Sequence, residues 1–359
     1  MHTFLGIETS CDECSASIID HSSHGFHVRS VKTFSQIDLH SPYGGVVPEI
    51  ASRNHLETIN LMIRDALNEA EVNPRELTGI AVTQRPGLVG ALLVGVTAAK
   101  SLSYVHKLPL IPVHHLEGHA LSIFLSDHKH QAPDPDKIKY PMLLCIVSGG
   151  HTQLHICDSP PQNWTSDFLK KSLIGSSRDD AAGEAFDKTA KILGYPYPGG
   201  KWIDINSKDG DASSFQFPRA LPQKDIFDFS FSGLKTAVSL EVQKLKKTGK
   251  LEENKKNLCA SIQEAIVDAL ITKINRAIKK YNCASLAVVG GVAANSRLRS
   301  HLTKEELDLK QDVIFPSKDY CTDNAAMIAI AGAYRFFQGQ KLSTEAALKL
   351  NAFSSGDLK

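Results

Sequence analysis

The chain has almost no net charge: 40 Lys and Arg stand against 39 Asp and Glu in 359 residues, which leaves +1. That excludes a bulk polycation, so any nucleic acid must be held by a local cluster of Lys and Arg. Long hydrophobic runs are missing as well. The uncharged, apolar stretch Pro86 to Ala99 is about fourteen residues, short of the roughly 20 that a membrane helix needs, so no membrane span is expected. The N-terminus, Met1-His2-Thr3-Phe4-Leu5-Gly6-Ile7, enters a strand-like run at once and leaves no room for a basic and apolar targeting segment. Seven scattered cysteines, an odd number, make no disulfide framework and agree with a reducing compartment; the expected location is the cytoplasm. Low-complexity tracts are absent, and 42% hydrophobic with 22% charged residues describes a globular chain of a length that suits two lobes.

What is present points to alternating strands and helices. Leu5 to Ser10 and Ser15 to Asp20 predict two strands joined by the turn Cys11-Asp12-Glu13-Cys14. Met142 to Val147, the turn Ser148-Gly149-Gly150-His151 and Thr152 to Ile156 repeat that pattern, which suggests one copy per lobe. Between them, apolar residues at helical spacing from Glu49 to about Ala70 predict a helix with Pro48 in its first turn. Gly79 to Thr83 predicts a buried strand, Leu88 to Leu102 a small-residue helix, Ser261 to Lys280 an amphipathic helix and Ser285 to Val289 another strand. The polar stretch Ser126 to Lys139 marks the boundary: residues 1–128 form the first lobe, completed by the C-terminal segment 324–359, and residues 139–323 form the second.

Several constellations could carry chemistry. His115-Leu116-Glu117-Gly118-His119 places two imidazoles four residues apart, on one face if the segment is helical. Such a pair also arises by chance among fifteen histidines, and a metal needs a third ligand, for which the turn Cys321-Thr322-Asp323-Asn324 offers a carboxylate. Two His and one carboxylate leave positions open for a substrate oxygen. Glu117 lies at the wrong offset for the zinc-protease motif His-Glu-x-x-His.

Ser148-Gly149-Gly150 and Gly290-Gly291-Val292-Ala293-Ala294-Asn295 are glycine turns suited to wrapping an anion, although a single such turn is commonly plain chain reversal. Together they suggest a nucleotide in a cleft between lobes, without a P-loop or a dinucleotide glycine motif. Asp187, on an otherwise apolar helical repeat, suits hydroxyl or ribose binding. Cys11 and Cys14 lack the second pair that a zinc site would require. Lys244, Lys246, Lys247, Lys250, Lys255 and Lys256, with Lys273, Arg276, Lys279 and Lys280, form the densest positive region, which is either a solvated face or an RNA footprint.

Six ordered motifs coincide with one family. Ile7-Glu8-Thr9-Ser10-Cys11-Asp12-Glu13, Gly44-Gly45-Val46-Val47-Pro48-Glu49-Ile50-Ala51-Ser52-Arg53, Val113-His114-His115-Leu116-Glu117-Gly118-His119, Val147-Ser148-Gly149-Gly150-His151-Thr152, Asp228-Phe229-Ser230-Phe231-Ser232-Gly233-Leu234-Lys235-Thr236 and Cys321-Thr322-Asp323-Asn324 resemble the tRNA threonylcarbamoyladenosine-modifying transferases in their bacterial form, over roughly residues 4 to 335.

The resemblance implies an α/β chain of duplicated actin-like, hexokinase-like ATPase fold, two lobes with a cleft between them. It implies an acyltransferase that moves the threonylcarbamoyl group from threonylcarbamoyl-AMP to N6 of adenosine 37 in tRNAs reading codons that begin with A. By the family motif, His115, His119 and Asp323 would hold one divalent metal, Fe2+ ahead of Zn2+. Ile146, Val147, Ser148, Gly149 and Gly150, with Asp187, Gly200, Asp204 and Asn295, would hold the adenylate, and Asp12 and Glu13 would orient or deprotonate the incoming amine. A smaller paralogue of the same fold and a small ATPase are the implied companions of the bacterial relatives. The chain departs from the family at Arg85, Cys14, Lys201-Trp202 and the tail Ala346 to Lys359. The alternatives are a small-molecule kinase or ATPase of the same fold, a binding subunit without catalysis and a metallopeptidase.

Overall fold

The computed structural model describes residues 1–307, 309 and 313–355. Of the atypical tail, residues 356–359 lie outside the described residues. The chain forms two compact units, one built from residues 1–137, 160–167 and the segment from Pro316 onward, the other from residues 138–159 and 168–315.

In the first unit six strands, β1 (His2–Glu8), β2 (Glu13–Ser22), β3 (Gly25–Ser35), β4 (Gly79–Arg85), β5 (Leu110–His114) and the two-residue β6 (Leu125–Ser126), line up in the order β5-β4-β1-β2-β3-β6. β1, β4 and β5 are parallel, so Glu8, Arg85 and His114 emerge at one edge of the sheet. Every residue of β1 after His2 is buried because helices cover both faces. Leu5 and Ile7 join Ile59, Ile63 and Val94 from the helices Pro48–Glu69 and Val89–His106, while the opposite face receives the helix Ala325–Phe337. Pro48 occupies the first helical turn, as its fixed φ and missing N–H favour.

Val89–His106 has the length and composition of a membrane-crossing helix. Here it packs on β4 and on the helix Pro48–Glu69, with Ala91, Leu92, Val96 and Ala99 buried. β3 and β5 are absent from the sequence expectation. β3 reads as a sheet strand only once Phe26, Val28 and Ser30 are seen to alternate into the core.

The second unit holds β7 (Met142–Val147), β8 (Thr152–Cys157), β9 (Leu173–Ser176) and β10 (Ser285–Val289) in the order β10-β7-β8-β9. β10 is parallel to β7, and β7, β8 and β9 are antiparallel in succession. The segment β4-β1-β2-β3 of the first unit has the same directions, so the repeated hairpin is part of a larger repeated sheet. The helices Ala182–Ile192, Gly199–Ser207, Ser232–Lys247 and Leu251–Tyr281 belong to this unit. The last begins ten residues before the expected Ser261, because Leu258 and Cys259 extend its buried face.

Candidate metal and nucleotide sites

His115 follows β5 directly and opens the helix His115–Leu121, whose first turn is capped by His114: its Nδ1 accepts from the Leu116 N–H at 3.2 Å. His115 and His119 are one turn apart, 5% and 0% exposed, with their rings edge to face and centroids 4.8 Å apart. The helix lies against Ala325–Phe337 at Gly118, where a Cβ would come within 2.9 Å of Ile328 and 3.0 Å of Met327. That close approach brings in Asp323, which precedes the helix cap Asn324. Asp323 Oδ1 stands 3.0 Å from His119 Nε2 and 3.5 Å from His115 Nε2, and one ligand atom from each of the three residues fits within a 4.8 Å span.

The donors fit a divalent metal. Both ring nitrogens of His119 are buried without a hydrogen bond among the described residues, even though Nε2 is within ion-pair distance of Asp323. Orphaned buried nitrogens are costly unless something else satisfies them, and atoms that share a metal approach one another in this way.

Glu8, at the end of β1, is the residue that motif reading passed over. Its Oε2 lies 3.0 Å from His115 Nδ1 and accepts from Thr83 Oγ1 at 2.7 Å, and its Oε1 accepts from the Ser10 N–H. A carboxylate on Nδ1 fixes the tautomer and leaves the Nε2 lone pair for a metal. The available signal was a lone acid ending an otherwise apolar strand, which spacing alone does not connect to His115. Burial pushes the Glu8 carboxyl up, but the His115 imidazole outweighs this and holds it below its ordinary pKa. Burial pushes His115 down, but Asp323 and Glu8 outweigh this and raise it to about 9.

Without metal, His115 is therefore protonated at neutral pH, and a metal must expel that proton. Metal affinity rises about tenfold per pH unit until about pH 9. Glu8→Gln flattens this dependence and weakens binding about 10–100-fold. Equilibrium dialysis with Zn2+ at a series of pH values checks both effects.

Asp12 ends the turn between β1 and β2 and is buried, and Glu13 opens β2. Burial, then the charges of Asp12 and Asp323, push the Glu13 carboxyl well above its ordinary pKa. A raised pKa favours the neutral carboxyl, which can donate a hydrogen bond. Burial likewise raises the Cys11 thiol, and lifts Cys14 to about 11, against thiolate chemistry at either.

The expected nucleotide residues are all in the second unit. Ile146 and Val147 end β7, and the turn that follows is closed by the Ser148 N–H donating to the His151 carbonyl at 2.8 Å and the His151 N–H donating to Ser148 Oγ at 3.2 Å. Gly149 and Gly150 are exposed, and a Cβ at either would meet nothing within 4 Å, so the backbone there is open to approach. Gly290 (φ +94°) ends the adjacent parallel strand in direct contact with the Val147 carbonyl, which brings the two glycine turns side by side.

Ser148 accepts from the Gly183 N–H at 3.2 Å, tying the turn to the helix that bears Asp187. Asp187 Oδ1 in turn accepts from the Gly199 N–H at 2.7 Å and caps Gly199–Ser207, the helix carrying Gly200 and Asp204. Asp204 Oδ1 accepts from Ser296 Oγ at 2.7 Å and from Asn295 Nδ2 at 3.3 Å, and Asn295 caps Ser296–His301. The set is contiguous, but its carboxylates hold helix starts as well as any ligand.

The positive region is smaller than the sequence suggests. Lys273 is 3% exposed, and its Nζ donates to the carbonyls of Leu221 (2.6 Å) and Ile226 (2.5 Å). Arg276 donates to the Gln223 carbonyl at 3.0 Å. Lys273 faces inward on Leu251–Tyr281 and half-buried Arg276 ties down the same loop at the surface, whereas Lys244, Lys246, Lys247 and Lys250 remain exposed. The departure at Arg85 is matched by the tail: the guanidinium stacks on Phe353 at 4.8 Å, and the Phe353 N–H donates to the Gln84 carbonyl at 3.0 Å. Trp202 stacks on Tyr195, and Lys201 is exposed.

Two α/β units sharing one strand pattern, with a His-His-carboxylate cluster at the C-terminal edge of the first sheet, define an actin-like ATPase fold that bears a metal-ligand site. The chain is similar in fold to component A of the (R)-2-hydroxyglutaryl-CoA dehydratase of Acidaminococcus fermentans (TM-score 0.51, 13% identity, 97% of this chain and 100% of that one). It is equally similar to the activator of the 2-hydroxyisocaproyl-CoA dehydratase of Clostridium difficile (TM-score 0.51, 12% identity, 94% and 97%). At these identities the likeness concerns fold alone.

The tRNA N6-adenosine threonylcarbamoyltransferase family model matches residues 27–330, and the chain belongs to that family. Relatives bearing that name are 47% identical in Listeria welshimeri (341 residues, 94% of this chain and 93% of the relative) and 47% in Francisella philomiragia (333 residues, 92% and 94%). In an Anaeromyxobacter strain the relative is 47% identical over 344 residues, 95% and 96% of the two chains.

Proposed function

We propose that this chain transfers the threonylcarbamoyl group from threonylcarbamoyl-AMP to N6 of adenosine 37 in tRNAs reading codons that begin with A. The observation that carries the reading, within a family of that name, is the buried His115, His119 and Asp323 cluster with His119 unbonded. These residues hold one divalent metal, Fe2+ ahead of Zn2+, since imidazole suits either. When bound with open positions, such an ion supplies Lewis-acid stabilisation of negative charge developing on a ligand oxygen.

The adenine N6 lone pair forms the new C–N bond at the carbamoyl carbon, the bond from that carbon to the phosphate oxygen breaks, and AMP departs with its electrons. The N6 proton passes to solvent or to Asp12. Because AMP is already a competent leaving group, positioning does most of the work and no covalent nucleophile is needed. Asp12 and Glu13 orient the amine. The turn Ile146 to Gly150, with Asp187, Gly200, Asp204 and Asn295, holds the adenylate. Exposed Lys244, Lys246, Lys247 and Lys250 supply a basic strip for the tRNA. A smaller paralogue of the same fold and a small ATPase act with the chain in the cytoplasm.

Two alternatives are disfavoured. A kinase would hold Mg2+ with carboxylates, phosphates and water rather than imidazoles. A metallopeptidase would need a base beside the histidines, and Glu117 is instead forked onto Arg335. Incubation of metal-loaded protein, together with the smaller paralogue and the small ATPase, with ATP, threonylcarbamoyl-AMP and unmodified tRNA, followed by nucleoside mass spectrometry, tests the function. The expected products are AMP and threonylcarbamoylated adenosine in equal amounts, and unmodified tRNA after complete turnover conditions overturns the proposal. Charge reversal at Lys246 and Lys247 weakens tRNA binding and flattens its salt dependence.

A further inference from the structure

The turn carrying Asp12 and Glu13 is held from outside by a buried pair. His55, on the helix Pro48–Glu69, and Gln36, just after β3, are both 0% exposed. His55 Nε2 lies 2.9 Å from the Cys11 carbonyl, and its Nδ1 lies 3.3 Å from Gln36 Nε2. The Gln36 backbone N–H donates to the next carbonyl, that of Asp12, at 3.1 Å. Two successive carbonyls of the turn are thus held by one side chain and by the backbone of the residue that buttresses it.

The orientations are internally determined. Gln36 Nε2 is also 3.4 Å from the Ala51 carbonyl, so flipping the amide would set its oxygen against a carbonyl. With the amide nitrogen facing His55, Nδ1 must accept, the proton sits on Nε2, and Nε2–H donates to Cys11. Burial, as the largest influence, lowers the His55 pKa and so favours this neutral form.

We propose that His55, buttressed by Gln36, is a positioning residue that sets where the Asp12 and Glu13 carboxyls stand during transfer. The inference rests on the reading above that this turn orients the amine. A shift of the turn by a fraction of its width leaves ligand affinity intact and lowers the rate, because only the reacting geometry depends on it.

The test compares His55→Leu, which keeps volume and removes the donor, with His55→Gln, whose amide can still reach Cys11. The expected result for His55→Leu is kcat for adenosine modification lower by about 10–100-fold, with KM for threonylcarbamoyl-AMP, bound metal and urea midpoint near wild type. His55→Gln recovers most of the rate. Gln36→Met, which removes the buttress, gives the same split in smaller measure and decides the matter if His55→Leu does not fold.

Wild-type kcat in a folded, metal-loaded His55→Leu or Gln36→Met protein overturns the proposal, as does a loss confined to KM or metal content. Asp12→Asn and Glu13→Gln separate the two levels. If both retain full kcat, the reading of the turn itself is wrong; if they are impaired while His55→Leu is not, only the positioning role fails.

Discussion

Alanine at both His115 and His119 abolishes adenosine modification, a loss of at least about 10^3-fold, while the first unit stays folded. The argument turns on what each imidazole does without metal. His119 makes no hydrogen bond among the described residues, so its removal deletes two unsatisfied buried nitrogens as well as some packing, and the two effects oppose each other. His115 does have a partner: after its removal the buried Glu8 keeps only Thr83 and the Ser10 N–H, and losing the imidazole beside that carboxylate costs stability. The fold is retained at a lower urea midpoint, while the metal loses two of three protein ligands. Elemental analysis, the urea midpoint and nucleoside mass spectrometry on one preparation check the prediction: no metal, a lowered midpoint with a cooperative transition and no modified adenosine.

Arg335→Ala has the largest expected effect on stability. Arg335 forks onto Glu117 through Nε to Oε2 (2.6 Å) and Nη2 to Oε1 (2.7 Å), and Nη1 reaches the Pro112 carbonyl at 3.1 Å. Both side chains are largely buried, 18% and 12% exposed. Removing the guanidinium leaves a carboxylate in a poorly solvated place on the short helix that carries both histidines, at a cost of about 3–5 kcal/mol. Arg335→Lys recovers only part of it, because one ammonium cannot reproduce the planar fork. The double replacement Glu117→Ala with Arg335→Ala is less destabilising than Arg335→Ala alone, since no charge is then stranded. Urea unfolding of the three variants checks the order. Metal retention falls with stability, because this ion pair clamps the helix His115–Leu121 onto Ala325–Phe337, the helix that follows Asp323.

Much of the site was legible in the chain. Residues four apart on a helix share a face, so His115 and His119 could be paired from spacing alone. Of the two glycine turns, one carries a backbone few other residues tolerate: Gly290 takes a positive φ, whereas Gly149 and Gly150 do not. Asp323 could be named by motif, although 204 positions separate it from His119. Glu8 and His55 were not legible. Each looks like a strand-end acid or a helix-face histidine until the partner 107 or 44 residues away is located. The positive charges failed in the opposite sense: Lys273 and Arg276 belong to a run of positive charge in the sequence, yet Lys273 is buried and both donate to loop carbonyls that no local pattern announces.

Composition and periodicity by themselves determined that this is a near-neutral, α/β chain with a repeated hairpin and a metal-ready pair of histidines. These follow from properties carried by neighbours in the chain: charge, the two periods of strand and helix, and the offset of one helical turn. The tertiary structure alone decided which carboxylate stands beside His115, which glutamate is tied up by Arg335 and which lysines stay exposed. Those outcomes depend on how distant segments pack, where burial multiplies the cost of an unpaired polar group and so forces partners that sequence distance hides.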